Sequence, residues 1–125
     1  MKKPSDAELD ILAILWKNGP SSVREVHAAL NEQRDVVYTT TLKTMQVMAS
    51  SKKKFLKRDT SQKTHIYEAA IQPEMIREDM VDKVVNTVFA GSPLRLVLHA
   101  LGNKSTSAED LDQIKKMIEN LEKEQ

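Results

Sequence analysis

No cysteine occurs among the 125 residues. Disulfide staples, thiolate metal sites and cysteine nucleophiles are therefore excluded. Aromatic residues are only 4% of the chain, so its core must be built mainly from Leu, Ile, Val, Met and Ala. No stretch approaches the roughly 18 apolar residues of a membrane span, so membrane insertion is not expected. Residues 1–10 carry no apolar run, which argues against a signal peptide and for a cytoplasmic protein. His27, His65 and His99 are scattered without ligand spacing, so neither a metal site nor a cofactor is expected. A glycine-rich phosphate loop, a Ser-His-Asp order and a paired-carboxylate constellation are likewise missing, and no enzyme activity is expected.

What is present is 40% apolar and 30% charged residues, a balance that suits helices with polar outer faces. The length fits one compact domain, or a small domain with an assembly segment. A net charge of +1 conceals an asymmetry. Residues 1–70 hold 12 Lys/Arg and 8 Asp/Glu, a net of +4, while residues 71–125 hold 7 and 10, a net of −3. Within 36–65, seven basic residues face Asp59 alone, a net of +6. Such a concentration suits a polyanion, although a solvated basic loop would show the same charge.

Ser5 with Glu8 three residues later forms a capping box, and Leu9, Leu12, Ala13 and Trp16 follow at helical spacing. Gly19-Pro20 ends this first helix, expected over 6–18. Ser22 with Glu25 repeats the device for a second helix over 23–31, striped by Val23, Val26, His27 and Leu30. A third helix is expected over 39–51. On its wheel Tyr38, Thr41, Leu42, Met45, Met48 and Ala49 form the core stripe. Thr39, Thr40, Lys43, Val47 and Ser50 lie opposite, with Thr44 and Gln46 on the flanks. That outer face is short, rich in hydroxyls and free of acid. After Lys52-Lys53-Lys54, two β-branched or aromatic stretches, 55–59 and 64–69, bracket a polar tip and predict a β-hairpin.

Pro73 opens a long helix expected to reach about Ala90, and Gly91 closes it. Ser92-Pro93 restarts a helix that is apolar nearly all round, through Leu94, Leu96, Val97, Leu98 and Leu101, until Gly102. Thr106-Ser107-Ala108-Glu109 offers another cap. Leu111, Ile114, Ile118 and Leu121 then recur at coiled-coil-like spacing. These helices either fold back on the N-terminal part or pair with a second copy. The all-round apolar segment favours pairing, because such a helix must be enclosed. The dimerisation candidates are Val84, Val88, Leu94, Val97, Leu98, Leu101, Leu111, Ile114, Ile118 and Leu121.

Three helices followed by a hairpin make a helix-turn-helix with a wing, so the fold class is mainly α with a small β-hairpin wing. The expected division is 1–70 for a winged-helix DNA-binding domain and 71–125 for a helical dimerisation domain. In such units the last helix presents its N-terminal residues to base edges in the major groove. The candidate DNA-binding residues are therefore Thr39, Thr40, Lys43 and Thr44 for reading, with Lys52, Lys53, Lys54, Arg58 and Lys63 for phosphates. The threonine run is also a plausible helix start and nothing more, and the lysine triplet a plain solvated turn. The rival function is a winged-helix protein-interaction module that never touches DNA.

The stretches Ala7–Trp16, Val23–Val26, Val37–Met45 and Phe55–Arg58 resemble the penicillinase/methicillin-resistance repressor family of the BlaI/MecI/CopY type, with weaker similarity through Leu96-Val97-Leu98. The resemblance implies a homodimer on palindromic double-stranded operator DNA with a TACA/TGTA-type core, controlling β-lactamase or other resistance genes. It also implies that Thr39, Thr40, Lys43 and Thr44 face DNA. In some members a sensor-activated protease cuts an Asn-Phe bond, which falls near His99-Ala100 here. The pair differs from Asn-Phe, and the missing cysteines set the chain apart from the copper-responsive branch. Lys54 stands where such proteins often carry glycine before the first wing strand.

Overall fold

Ser5 accepts a hydrogen bond from the Glu8 N–H, and the Glu8 carboxylate accepts one from the Ser5 N–H. This reciprocal cap starts α1, Asp6–Asn18, in a computed structural model that describes residues 3–102 and 105–125. Gly19, at φ 80°, turns the chain out of the helix while its N–H closes on Leu15 O. A second capping box, Ser22 with Glu25, starts α2, Val23–Asn31. The third helix, α3, is Tyr38–Met48.

The hairpin forms as expected, but it belongs to a three-stranded antiparallel sheet. Strand β1 is Ser21–Ser22, β2 is Leu56–Asp59 and β3 is Ile66–Ala69, in the order β1-β3-β2. Ser21 pairs with Tyr67 and Ser22 with Ile66; across the wing, Arg58 pairs with Tyr67 and Asp59 with Ile66. Two serines after Gly-Pro carry no strand signal, so β1 is illegible in sequence. It arises because the buried Tyr67 draws the α1–α2 connection alongside it.

Helix α3 ends three residues short of the expected Ser51. The Phe55 N–H returns to Met48 O and the Lys54 N–H to Ser50 O, so the turn packs Phe55 and Met48 inward together. That turn puts Lys54 at φ 55°. Left-handed backbone costs a non-glycine residue about 1–2 kcal/mol, a strain that a glycine in place of Lys54 would not carry.

Ile11, Leu12 and Leu15 of α1, Val26 and Leu30 of α2, and Met45 and Met48 of α3 close over Phe55, Leu56 and Tyr67. Each fully buried side chain of this kind contributes about 1.5–3 kcal/mol of transfer free energy. The Trp16 indole N–H donates to Ile71 O at 2.9 Å, tying the chain after the wing to α1.

Beyond the wing come α4, Pro73–Thr87, α5, Pro93–Gly102, and α6, Ala108–Lys123. Helix α4 stops three residues before the expected Ala90. Ala90 and Gly91 both take positive φ, and the Gly91 N–H returns to Val85 O, so the reversal begins before the glycine. The chain divides into two compact units, Met1–Glu78 and Asp79–Gln125. The divide falls inside α4, later than 70/71, because Ile71 and Ile76 are buried with the first unit. Within the second unit Val85 is the buried apolar residue among those described, and α5 and α6 bury none.

Candidate nucleic-acid interface

The outer face of α3 emerges as the wheel requires. Thr41, Met45 and Met48 are 0–1% exposed, whereas Thr39, Thr40 and Lys43 are exposed and Thr44 is half-buried. Tyr38 departs from the expected core stripe. It sits at the start of the helix, beyond the rim of the core, and is exposed. Its ring meets His27 edge-on at 5.3 Å between centroids and lies beneath the Arg24 guanidinium at 5.9 Å.

Two clefts flank α3. One, of about 500 Å³, runs between α3 and the start of α1 and brings together Thr39, Thr40, Lys43, Thr44 and Lys53 with Ser5 and Glu8. The Thr44 hydroxyl donates to Thr40 O at 2.8 Å, so it can offer an incoming base only lone pairs and a methyl group. Among the described residues no intramolecular partner engages the hydroxyls of Thr39 and Thr40, which keep both donor and acceptor capacity.

The lysine triplet is not uniform. Lys53 reaches Glu8 Oε2 at 2.6 Å, and the Glu8 side chain is nearly buried. Burial pushes the Glu8 carboxyl up, but the hydrogen bond from Lys53 and those from Ser5 outweigh it and hold the group below the ordinary glutamate range. Lys53 thus fastens the turn after α3 to the start of α1, with its charge already partnered. Lys52 and Lys54 are exposed, with no ion pair among the described residues.

Because Glu8 is depressed in the folded state, its contribution is fully present above the unfolded glutamate value near pH 4.3. It is lost as pH falls through the lower folded value. Glu8→Gln should therefore flatten the acid limb of thermal stability below about pH 4.5 and cost about 1–3 kcal/mol at pH 7. Thermal melts of both proteins from pH 3 to 7 check this; parallel acid limbs would contradict it.

The second cleft, about 340 Å³, lies between α3, the start of α2 and the wing. It gathers Lys63 with Arg24, His65, Tyr38 and Gln46, and no acid lines it. Sequence reasoning missed Arg24 and His65. A signal for Arg24 was available: it stands in the first turn of α2, where the helix dipole disfavours a cation, so its charge serves something other than the helix. Arg58 is not brought to either cleft. It lines a separate hollow with Lys57, Asp59 and Glu68, where the acids offset it.

Helix, helix, helix and wing, with an acid-free polar face on the last helix, define a winged helix-turn-helix protein carrying additional C-terminal helices. The chain matches the penicillinase repressor family over residues 4–120 and belongs to that family of transcriptional repressors. It is similar to "Transcriptional regulator BlaI" of Mycobacterium tuberculosis, in both strain CDC 1551/Oshkosh and strain ATCC 25618/H37Rv. Each is 28% identical over 119 residues, covering 94% of this chain and 83% of the relative. No helix among the described residues is long and apolar enough to cross a membrane.

Proposed function

We propose that this chain is a sequence-specific repressor that binds double-stranded operator DNA as a homodimer, working in the cytoplasm. The observation that carries the reading is the division of α3, with Thr39, Thr40 and Lys43 outside and Thr41, Met45 and Met48 inside. A helix in the major groove has a phosphate strand on each side. The clefts flanking α3 support that arrangement: Lys43 and Lys53 line the first, and Arg24, Lys63 and His65 line the second, while Lys52 and Lys54 are exposed in the turn after the helix. Two copies would read half-sites about one helical turn apart, or a small multiple, so the operator is a palindrome. The family supports β-lactamase or other resistance genes as targets.

The second copy is supported by apolar surface that the single chain leaves uncovered. Val88 is 75% exposed, Leu94 64% and Leu98 60%, and Val84, Val97, Leu111, Ile118 and Leu121 are also exposed. Leu101 and Ile114 are half-buried. Patches of this kind mark interfaces in soluble proteins. Release by a sensor-activated protease at His99-Ala100 would first require α5 to open, because both residues lie inside that helix.

Footprinting of the purified protein on the DNA upstream of its own coding sequence tests the reading. A protected palindrome is expected, with affinity falling roughly a thousandfold or more between 50 and 200 mM salt. No retardation of any DNA at low salt would favour the protein-interaction module instead.

A further inference from the structure

Helix α3 begins without a side-chain cap, because Val37 occupies its N-cap. His27 of α2 holds the first turn from behind, sharing a hydrogen bond of 2.9 Å with Oγ1 of the buried Thr41. The outward side chains of α3 take no part in that hold. Among them Gln46 is exposed, and no hydrogen-bond partner among the described residues engages its amide. An exposed glutamine is ordinary on a helix, since it favours the helix wherever it stands. Its place on α3 is what sets it apart. At about 100° per residue Gln46 falls about 20° from Thr39 and about 60° from Lys43, on one ridge of the outer face. It stands about 10 Å further along the axis than Thr39, the length of about three base steps. Leu42, one turn earlier on the same side, is half-buried beside it. Both line the cleft that also holds Arg24, Lys63 and His65 and contains no acid.

We propose that Gln46 is a specificity-determining residue that reads an adenine edge in the major groove, with Leu42 beside a thymine methyl. The inference rests on the reading of α3 as the DNA-reading helix and extends the reading surface to Gln46. A carboxamide carries a donor and an acceptor side by side. Adenine alone among the bases presents an adjacent acceptor and donor, N7 and N6, to the major groove. The amide nitrogen donates to N7 while the amide oxygen accepts from N6. Guanine shows two acceptors at the same place, so the amide oxygen would face O6 without a proton between them. An A·T pair also displays the thymine methyl, which suits the apolar surface of Leu42. The cations across the cleft favour a phosphate strand alongside, which holds the duplex in register while the neutral amide tests the base.

The test uses the full chain and the duplex found by footprinting. Each adenine of the half-site is replaced in turn, together with its symmetry mate, by 7-deazaadenine. This base keeps Watson–Crick pairing and lacks the N7 acceptor. At one adenine per half-site the replacement should weaken wild-type binding about tenfold or more. Gln46→Ala should weaken binding to the unmodified operator by a similar factor and respond less than about twofold to that replacement. Alanine is the best helix former and the side chain is exposed, so the fold should be unaffected. Random-duplex affinity and the salt slope should stay as in wild type, because no charge is removed. Gln46→Glu, which can only accept, should move the preferred base at that position from adenine to cytosine.

A replacement cost that is the same in Gln46→Ala as in wild type would overturn the proposal, and so would a wild type indifferent to every replacement. Equal weakening of operator and random DNA by Gln46→Ala would also overturn it, and would make the amide a backbone contact. In each of these cases wild type still prefers its operator, so the repressor reading survives. Wild type without any operator preference would overturn both.

Discussion

Replacing Thr40 and Lys43 together with alanine should weaken operator binding by at least about 100-fold while changing random-duplex binding only a few-fold. Both side chains stand on the exposed face of α3 and project into the cleft beside α1. A base-edge contact by a well-placed side chain discriminates by about 1–3 kcal/mol, and a symmetric dimer loses each contact twice. The companion variant is Lys52→Ala with Lys54→Gly. It spares Lys53, whose removal would orphan the buried Glu8, and it relieves the left-handed backbone at Lys54. On the proposed reading both lysines face phosphate, so the variant should weaken operator and random DNA about equally and lower the salt slope by about 2–4 across the dimer. Mobility-shift titrations at several salt concentrations separate the two behaviours. Equal loss on both DNAs for the Thr40/Lys43 pair would mean that the reading face lies elsewhere.

Leu98→Asp should turn the dimer into a monomer at micromolar concentration. The side chain is exposed on α5, so the single chain does not need it to fold. In a two-fold interface the substitution appears on both sides. Each copy forfeits about 1.5–3 kcal/mol of apolar burial and adds a desolvated charge. The dissociation constant should rise by roughly a thousandfold or more. Sedimentation equilibrium of wild type and variant decides the matter, with circular dichroism confirming that the helices remain. A variant that stays dimeric would place the partner surface away from α5. A variant that becomes monomeric should also lose operator affinity, because each half-site is then bound alone.

Much of this was legible in the sequence because the signals were local. The two capping boxes at Ser5 and Ser22 fix the starts of α1 and α2 within a few residues of chain. The 3.6-residue stripe through Thr41, Met45 and Met48 separates the inside of α3 from its outside. What was hidden depended on distant partners. Strand β1 exists only through pairing with β3, with Ser21 opposite Tyr67 and Ser22 opposite Ile66, forty-six and forty-four residues away. The tie between Lys53 and Glu8 joins residues forty-five apart, so a run of three lysines looked uniform when one of them was already engaged. Arg24 and His65 meet only once the wing folds against the start of α2. Tyr38 had the right angle on the wheel but lay past the end of the core, a distinction that angle alone does not carry.

The uncapped start of α3 has a consequence for how such a protein can change its target. At 11 residues the helix is shorter than the roughly 12–15 that an isolated helix needs to persist in water. Its order is lent by Met45 and Met48 beneath it and by neighbours in α2, and almost none comes from the residues facing outward. A free peptide of this segment would be largely coil and a poor competitor for the operator. In the intact protein the outward positions are released from structural duty, so, if they read DNA as proposed, a lineage can rewrite them for a new sequence while the body of the molecule stays as it is.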